Sequence, residues 1–494
     1  MLLASLPLLY LLFTKHFKKP TSSPSFPLPP GPYQWPIIGN IFQLGTKPHI
    51  TLTKFSQTYG PLFSLKLGTQ LLVVASSKAA ATEILRTHDR SLSGRYVPDM
   101  SPHKSLELNE FSIGWIVECN DKWRQLRSLC KRELFSAKAL ENNLLVREGK
   151  AREMVEFIRR REGKEVIVRE VVTATVFNML SCVLVSRDLI SMEGGSCEGG
   201  MMRMSSVLNQ IAELATTPNV SDFYPVLSWF DLQGLRKKVM ELHRSCFRIL
   251  TEDIIEERRR MGREDSCKDF LDVLLKNGSS DDQINVLLLE LLSAGTDTSS
   301  STIEWMMAEL IRNPKCMRKL EEEVSPAMDQ QEMFIKESCI TQLPYLEACF
   351  KETLRLHPPG PFLLPHRAIE FCQVMNHSIP KNSQILVNFW AIGRDPKYWE
   401  EPLMFNPERF LNYTCLDFKG NDFEFIPFGS GRRICPGLTM ATRHVSLIVA
   451  SLIHFFDWSL PHGRKNPTDI DMSEKYGLTL RKEEPLILIP RSKN

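Results

Sequence analysis

Residues 280–313 set the first limit on what this chain can fold into. Ile284, Leu287, Leu288, Leu291, Ala294 and Thr298 recur at helical spacing. Ser280 with Gln283 three residues on reads as a capping box, Asp281 and Asp282 suit the positive end of the helix dipole, and Pro314 marks the end. About 33 residues at 1.5 Å each make a rod of roughly 50 Å, so it has to cross a whole domain through a large core. Further helical patterns lie at 122–160, 234–260, 344–357 and 440–456, and strand patterns are few: Leu62–Leu67, Leu71–Ala75 and Gln384–Asn388. The expected fold class is mainly α with small β-sheets (α+β), with those sheets at the margin of a single domain.

Composition excludes several functions. The 61 Lys plus Arg nearly balance 58 Asp plus Glu, for a net charge of +3, which argues against a nucleic-acid footprint. Twelve cysteines are scattered with no C-x-x-C pair, against a disulfide scaffold, a zinc ribbon or an iron–sulfur cluster, and in favour of buried thiols in a reducing compartment. Residues 2–13 read LLASLPLLYLLF, followed by Lys15, His16, Lys18 and Lys19. That run is short of the ~20 residues of a straight span and lacks a small-residue cleavage site. Residues 1–19 therefore read as an uncleaved membrane anchor, with a hydrophobic propeptide as the alternative; the trailing basic cluster favours a cytosolic body. Residues 20–32 (PTSSPSFPLPPGP) read as a stiff Pro-rich hinge. Four N-x-S/T sequons, at Asn219, Asn277, Asn376 and Asn412, carry meaning only in a lumenal body. After Pro32 no linker-like stretch appears beyond the loop Glu193–Gly200.

Three motifs carry chemistry. Phe428-Gly-Ser-Gly-Arg-Arg-Ile-Cys-Pro-Gly437 fits F-x-x-G-x-R-x-C-x-G, a match expected by chance about 10⁻⁴ times per chain. Its glycines let backbone turn tightly against a flat ligand, and the two arginines before Cys435 are expected to favour the thiolate that binds metal. The alternative is a structural Cys in a Gly-rich turn. Lys351-Glu352-Thr353-Leu354-Arg355 puts Glu352 and Arg355 at i, i+3 on one helix face, and Phe405-Asn-Pro-Glu-Arg-Phe410 supplies Arg409 further on. Ala294-Gly295-Thr296-Asp297-Thr298-Ser299 interrupts the long helix with Gly and hydroxyls, which reads either as a packing kink or as a deliberate loosening.

On these motifs the chain resembles the cytochromes P-450, and the resemblance runs from the Pro-rich segment to Leu488. It implies a P-450 fold with the long helix over a buried haem b, and 33–494 as the haem-thiolate catalytic domain. It makes Cys435 the axial iron ligand and Arg433 a propionate contact, with Phe428 and Gly429 in the haem loop. Trp123, Arg127 and His366 are implied at the propionates, with Ala294 and Gly295 beside the haem. It makes Glu352, Arg355 and Arg409 a buried charge network bracing the Cys loop. Thr298 and Asp297 become the oxygen-activating pair, Asp297 relaying protons. Within the family the text Ser93-Gly-Arg95, Val387–Asp395 and Asp417–Gly420 is similar to plant microsomal enzymes near geraniol 8-hydroxylase and the iridoid oxidases; residues 374–378 (VMNHS) depart from the family's Gly-Tyr turn.

The implied reaction inserts one atom of O₂ into a C–H bond with electrons from NADPH. No dinucleotide fingerprint such as G-x-G-x-x-G occurs, so a separate NADPH-cytochrome P-450 reductase is the implied partner, docking on a basic face with Arg124, Lys131, Arg132 and Arg432 as candidates. The substrate walls implied are the loop near 96–117, Leu291, Ala294, Pro361, Phe362, Leu363, Leu364 and the turn Tyr476–Thr479 with Leu478. They suit a small lipophilic substrate, expected to be a terpenoid, with a phenolic, alkaloid or fatty-acid substrate as the alternative. A haem-thiolate isomerase or dehydratase, and a non-catalytic haem sensor, are the other readings. The expected location is the endoplasmic reticulum membrane, with the body in the cytosol.

Overall fold

The computed structural model describes residues 26–192, 207–208, 210–261, 269–327, 335–340, 342–412, 416–461, 463 and 466–493. The expected anchor 1–19, the start of the hinge (20–25) and the loop Glu193–Gly200 lie outside the described residues.

The longer helices are α1 (Pro48–Tyr59), α2 (Asp121–Cys130), α3 (Leu144–Arg159), α4 (Val168–Val185), α5 (Leu235–Leu250), α6 (Asp281–Arg312), α7 (Pro314–Val324), α8 (Pro344–Leu356) and α9 (Leu438–Phe455). Their order and burial follow from the sequence pattern. α6 has 32 residues, Ser280 Oγ accepts from the Gln283 N–H at 3.2 Å, and α4, α8 and α9 all pack on it. The long rod is thus the axis of the core. α4 is apolar almost all round and buried on nearly every face, as a helix enclosed by others must be. Gly295 lets it come close: a Cβ at that position would stand 2.8 Å from Leu180 Cδ1.

Residues 122–160 are not one helix. Ser136 is extended (ψ 154°) and its Oγ accepts from the Ala139 N–H, so it ends one helix and caps the next; Asn143 breaks the chain again before α3.

The strands are β1 (Leu62–Leu67), β2 (Gln70–Ala75), β3 (Gly94–Arg95), β4 (Val166–Ile167), β5 (His366–Arg367), β6 (Cys372–Val374), β7 (His377–Ile379), β8 (Gln384–Val387), β9 (Phe456–Ser459), β10 (Glu474–Lys475), β11 (Arg481–Lys482) and β12 (Ile487–Ser492). The largest sheet has the order β1-β2-β8-β5-β3, with β2 and β8 parallel and its other pairs antiparallel. β6 and β7 form a hairpin whose turn residues, Met375 (φ 49°) and Asn376 (φ 61°), are both left-handed. The two-residue turn therefore forms without the family's glycine.

Residues 26–32 lie along the body. Ser64 donates its N–H to Pro30 O (2.8 Å) and its hydroxyl to Pro29 O (2.7 Å). Ser378 does the same to Pro27 O (2.8 Å) and Phe26 O (2.7 Å).

Candidate active site

The Cys loop turns on glycine. Gly429 (φ +74°) and Gly431 (φ +68°) are left-handed, and a Cβ on Gly431 would sit 2.5 Å from Leu85 O. The Cys435 N–H closes the loop on Phe428 O at 2.9 Å. Cys435 keeps exposed surface although protein groups hem it in, as a side chain at the bottom of a cleft does. Burial pushes its thiol up, opposed by the Gly437 N–H, Arg127 and the Leu438 N–H. The two adjacent arginines do not act on the thiol as the sequence suggested: Arg432 pairs with Asp89 (2.6 Å) and Arg433 turns to backbone. The cation that reaches Cys435 comes from α2.

Around this loop the structure gathers buried cations. Arg433 donates to Ser93 O (3.0 Å) and Ile116 O (2.7 Å), and its buried Nη1 has no partner. Trp123 lies under both Arg127 (5.4 Å) and Arg433 (5.0 Å) and donates to Ile113 O. Arg127 also donates to Ile434 O. Arg95, the last residue of Ser93-Gly-Arg95, belongs here: it donates to Gly114 O and Leu364 O, both at 3.0 Å. Burial first, and then Arg433 among its neighbours, push Arg95 down to about 9. His366 donates from Nδ1 to Leu92 O (2.8 Å) and is held well below its usual range by burial and Arg95. Two carboxylates stand nearby, Asp89 and Glu290; Glu290 of α6 accepts from the Ile113 and Gly114 N–H groups. Burial raises it, and those bonds oppose the rise. Guanidiniums that repel one another, one with an unpartnered buried nitrogen, make a cradle for a dianion. A thiol in a cleft with a flanking dianion cradle fits haem, whose iron takes a thiolate and whose edge carries two propionates. Arg95 and Glu290 escaped the sequence reading because their partners are backbone groups far along the chain.

Along α6, Ala294 is exposed in mid-helix; Leu291 and Thr298 are half-buried. Thr298 Oγ1 donates to Ala294 O at 2.8 Å, the back-bond that loosens a helix turn. Gly295 instead backs onto Leu180 of α4, so its lack of a side chain serves helix packing. Asp297 makes an ion pair with Arg481 of β11.

Among the expected substrate walls, Pro361 is buried and Leu363 and Leu364 are partly exposed; Leu363 is left-handed (φ 56°) and its Cδ1 lies 3.7 Å from where a Gly429 Cβ would be. Leu478 is 44% exposed. Phe362 is different. It is buried in the cluster beneath β1 and β2 with Leu65 and Leu386, its ring 6.0 Å from Tyr476.

Glu352, Arg355 and Arg409 come together in the core. Arg355 donates to Glu352 at 2.7 and 2.8 Å, and Arg409 to the same carboxylate at 3.1 Å. Arg355 also holds Gly393 O and Pro402 O. Trp399 lies under Arg355, and Phe410 and Phe425 continue the stack toward Ile426, whose carbonyl accepts from the Gly429 N–H. Of the docking candidates, Arg124 pairs with Asp121, Arg132 with Glu133 and Arg432 with Asp89; Lys131 is exposed.

The family model described as Cytochrome P450 matches residues 29–489. The chain is 47% identical over 488 residues to (S)-N-methylcoclaurine 3'-hydroxylase isozyme 1 of Papaver somniferum, covering 98% of both chains. It is 45% identical to corytuberine synthase of Coptis japonica, over 94% of both, and 39% identical to flavonoid 3'-monooxygenase of Petunia hybrida, over 94% of this chain and 92% of that one. Enzymes of this kind are oxidoreductases that use haem b, O₂ and NADPH electrons delivered through a reductase. A matched family model over nearly the whole chain, and relatives that similar over their full lengths, show that this chain belongs to the cytochrome P450 family.

Proposed function

We propose that this protein is a membrane-bound monooxygenase that hydroxylates an alkaloid of the N-methylcoclaurine type. The observation that carries the substrate class is 47% identity over 98% of the chain to a relative named for that reaction. The terpenoid expectation gives way to the alkaloid alternative, because the relatives named above are named for alkaloid and flavonoid reactions.

When bound, haem supplies O₂ activation and oxidation of the C–H bond. The chain's own residues do the rest. Cys435 holds the iron, and the Gly437 and Leu438 N–H groups and Arg127 favour its thiolate against burial. Arg95, Trp123, Arg127, His366 and Arg433 hold the propionates. Asp297 relays protons and Thr298, its own proton given to Ala294 O, steadies oxygen on the distal side through its lone pairs; this pair counts against an isomerase, which needs none. Leu291, Ala294, Leu363, Leu364 and Leu478 exclude water and hold a lipophilic substrate in place.

The body lies on a membrane through an apolar patch. Trp35, Ile37, Phe42, Val226, Trp229 and Phe230 are each at least 59% exposed. The two segments meet where Tyr224 donates to Ile37 O at 3.1 Å. In the sequence the apolar run 2–13 comes before the Trp35–Phe42 part of this patch.

The test is product formation by membranes co-expressing reductase, offered (S)-N-methylcoclaurine, a monoterpenol and a flavonoid. Hydroxylation of the first with NADPH supports the reading. Turnover of the monoterpenol alone, or product from peroxide but none from NADPH, overturns it.

A further inference from the structure

The face of α6 that carries Asp297 also carries Ser301 and Glu304, and all three bind one C-terminal segment. Asp297 pairs with Arg481, Ser301 Oγ donates to Leu480 O at 2.9 Å, and Glu304 accepts from the Leu486 N–H at 2.9 Å while pairing with Arg169. Spacing of four and three residues puts these groups in one row. The row grips the β10–β11 hairpin, in which Glu474 pairs with Lys482 and Lys475 with Arg481 across the ladder. The hairpin's other leg is fixed as well. The Glu474 carboxylate receives Trp390 Nε1 (3.1 and 3.2 Å) and lies 3.0 Å from His49 Nε2 and 3.4 Å from Arg394. The Leu480 N–H reaches Pro359 O at 2.8 Å. At the tip Leu478 is exposed, while Thr479 is buried and Tyr476 packs on His49 and Phe362. The Asp297 carboxylate thus takes its direction from an arginine on a braced hairpin, in a pair with side chains only 29% and 24% exposed.

We propose that Arg481 is a positioning residue for Asp297: it aims the carboxylate along α6, so that the proton passed toward Thr298 arrives in step with O₂ reduction, and it ties that aim to the seating of the Tyr476–Thr479 turn. This rests on the proton-delivery reading of Asp297 given above. The coupled reaction is RH + O₂ + NADPH + H⁺ → ROH + H₂O + NADP⁺, and Asp297 only passes on protons drawn from solvent. When protons arrive badly, two electrons leave in H₂O₂ (O₂ + NADPH + H⁺ → H₂O₂ + NADP⁺); without substrate the competing route carries four electrons to water (O₂ + 2 NADPH + 2 H⁺ → 2 H₂O + 2 NADP⁺).

The full-length holoenzyme with reductase, NADPH and O₂ tests this without any substrate. The measured quantity is the share of NADPH electrons recovered as H₂O₂. Arg481→Gln is expected to raise that share at least threefold, Asp297→Asn to do the same, the double variant to add nothing further, and Arg481→Lys to restore most of the loss. With (S)-N-methylcoclaurine present, product per NADPH falls in Arg481→Gln, while product formed with H₂O₂ as sole oxidant stays within twofold. Amide exchange over 476–482 rises in Arg481→Gln and Asp297→Asn alike, a change that needs no turnover. An unchanged H₂O₂ share in Arg481→Gln beside a raised one in Asp297→Asn overturns the role of Arg481. Multiplying effects in the double variant, or equal losses in the NADPH- and H₂O₂-driven reactions, overturn it too. An unchanged share in Asp297→Asn overturns the underlying reading of Asp297.

Discussion

Arg355 forks onto both carboxylate oxygens of Glu352, at 2.7 and 2.8 Å, and neither side chain is exposed at all. Every remaining donor of Arg355 that faces the segment 393–404 ends on a backbone carbonyl. The pair is therefore a clamp on an irregular stretch of chain, and its charges have no water to fall back on.

Removing the Glu352 charge leaves two buried guanidiniums, on Arg355 and Arg409, without that counter-charge. Glu352→Gln is expected to cost about 3–5 kcal/mol of unfolding free energy and to release haem at moderate temperature. Urea unfolding followed by tryptophan fluorescence, beside the carbon-monoxide difference spectrum, checks it; a loss under about 1 kcal/mol, as for an exposed pair, contradicts it.

The contact between Gly295 and Leu180 predicts a change of sign. In the native background Gly295→Ala crowds Leu180, at about 1–3 kcal/mol, and regains about 1 kcal/mol of helix propensity, for a net effect from neutral to destabilising. In a Leu180→Ala background the same methyl fills space and becomes stabilising. A double-mutant cycle in thermal unfolding reads the difference, and equal effects in the two backgrounds would show that the close approach does not matter.

Burial, and then the neighbouring guanidiniums, lower the buried Arg95 and Arg433, with the half-buried Arg127 acting on both. Arg95→Gln should therefore leave the haem-free chain no less stable, while haem leaves the holoprotein at least tenfold faster. Transfer of haem to an acceptor apoprotein, set beside unfolding of the haem-free chain, tests both halves. Faster unfolding with an unchanged haem off-rate would make Arg95 merely structural.

His444 is buried, with no partner at Nε2, and burial and Arg147 hold it down at about 3. A histidine whose folded pKa is depressed binds its proton in the unfolded chain first. Its contribution is complete above the ordinary value near 6.5 and is lost as pH falls from there toward 3, at up to about 1.4 kcal/mol per unit. His444→Leu should flatten the stability profile between pH 6 and 4. Parallel profiles for the two proteins would place acid sensitivity elsewhere.

Thr298 spends its hydroxyl proton on Ala294 O, so only its lone pairs remain for a ligand. Thr298→Val keeps the shape and removes those lone pairs, and product per NADPH is expected to fall about tenfold while carbon-monoxide binding is unchanged. Oxygen-electrode and NADPH traces measured together decide it; normal coupling in Thr298→Val removes the residue from proton delivery.

What could be read in the sequence was whatever sits in a short window. The Cys loop, Glu352 with Arg355, and Ala294–Ser299 each hold their defining residues within ten positions, and the capped, periodic α6 was found to within a residue at each end. α4 is absent from the expected helices because a helix enclosed on all sides shows no amphipathic periodicity. The expected helix 122–160 hid its break at Ser136, where a single cap outweighed the surrounding helix formers. Arg481 and Asp297 are 184 residues apart and Glu290 and Gly114 176 apart, so no local pattern pairs them. The basic proximal face, read from charge type alone, proved to be largely paired to neighbouring acids.

The proline strip along β1 has a further consequence. β1 is an edge strand, and its outward Ser64 N–H is taken by Pro30 O and its Lys66 N–H by Asn40 Oδ1 at 2.8 Å. The strip accepts hydrogen bonds from Ser64 and Ser378, but Pro27, Pro29, Pro30 and Pro32 have no N–H to offer in return. A second chain seeking to extend the sheet would meet a row of donorless residues, and a Cβ on Gly31 would stand 1.9 Å from Ser64 O, leaving no room for the strip to be replaced by an ordinary strand. The segment that leads into the body thus also terminates its largest sheet, and guards it against growing edge to edge into an aggregate.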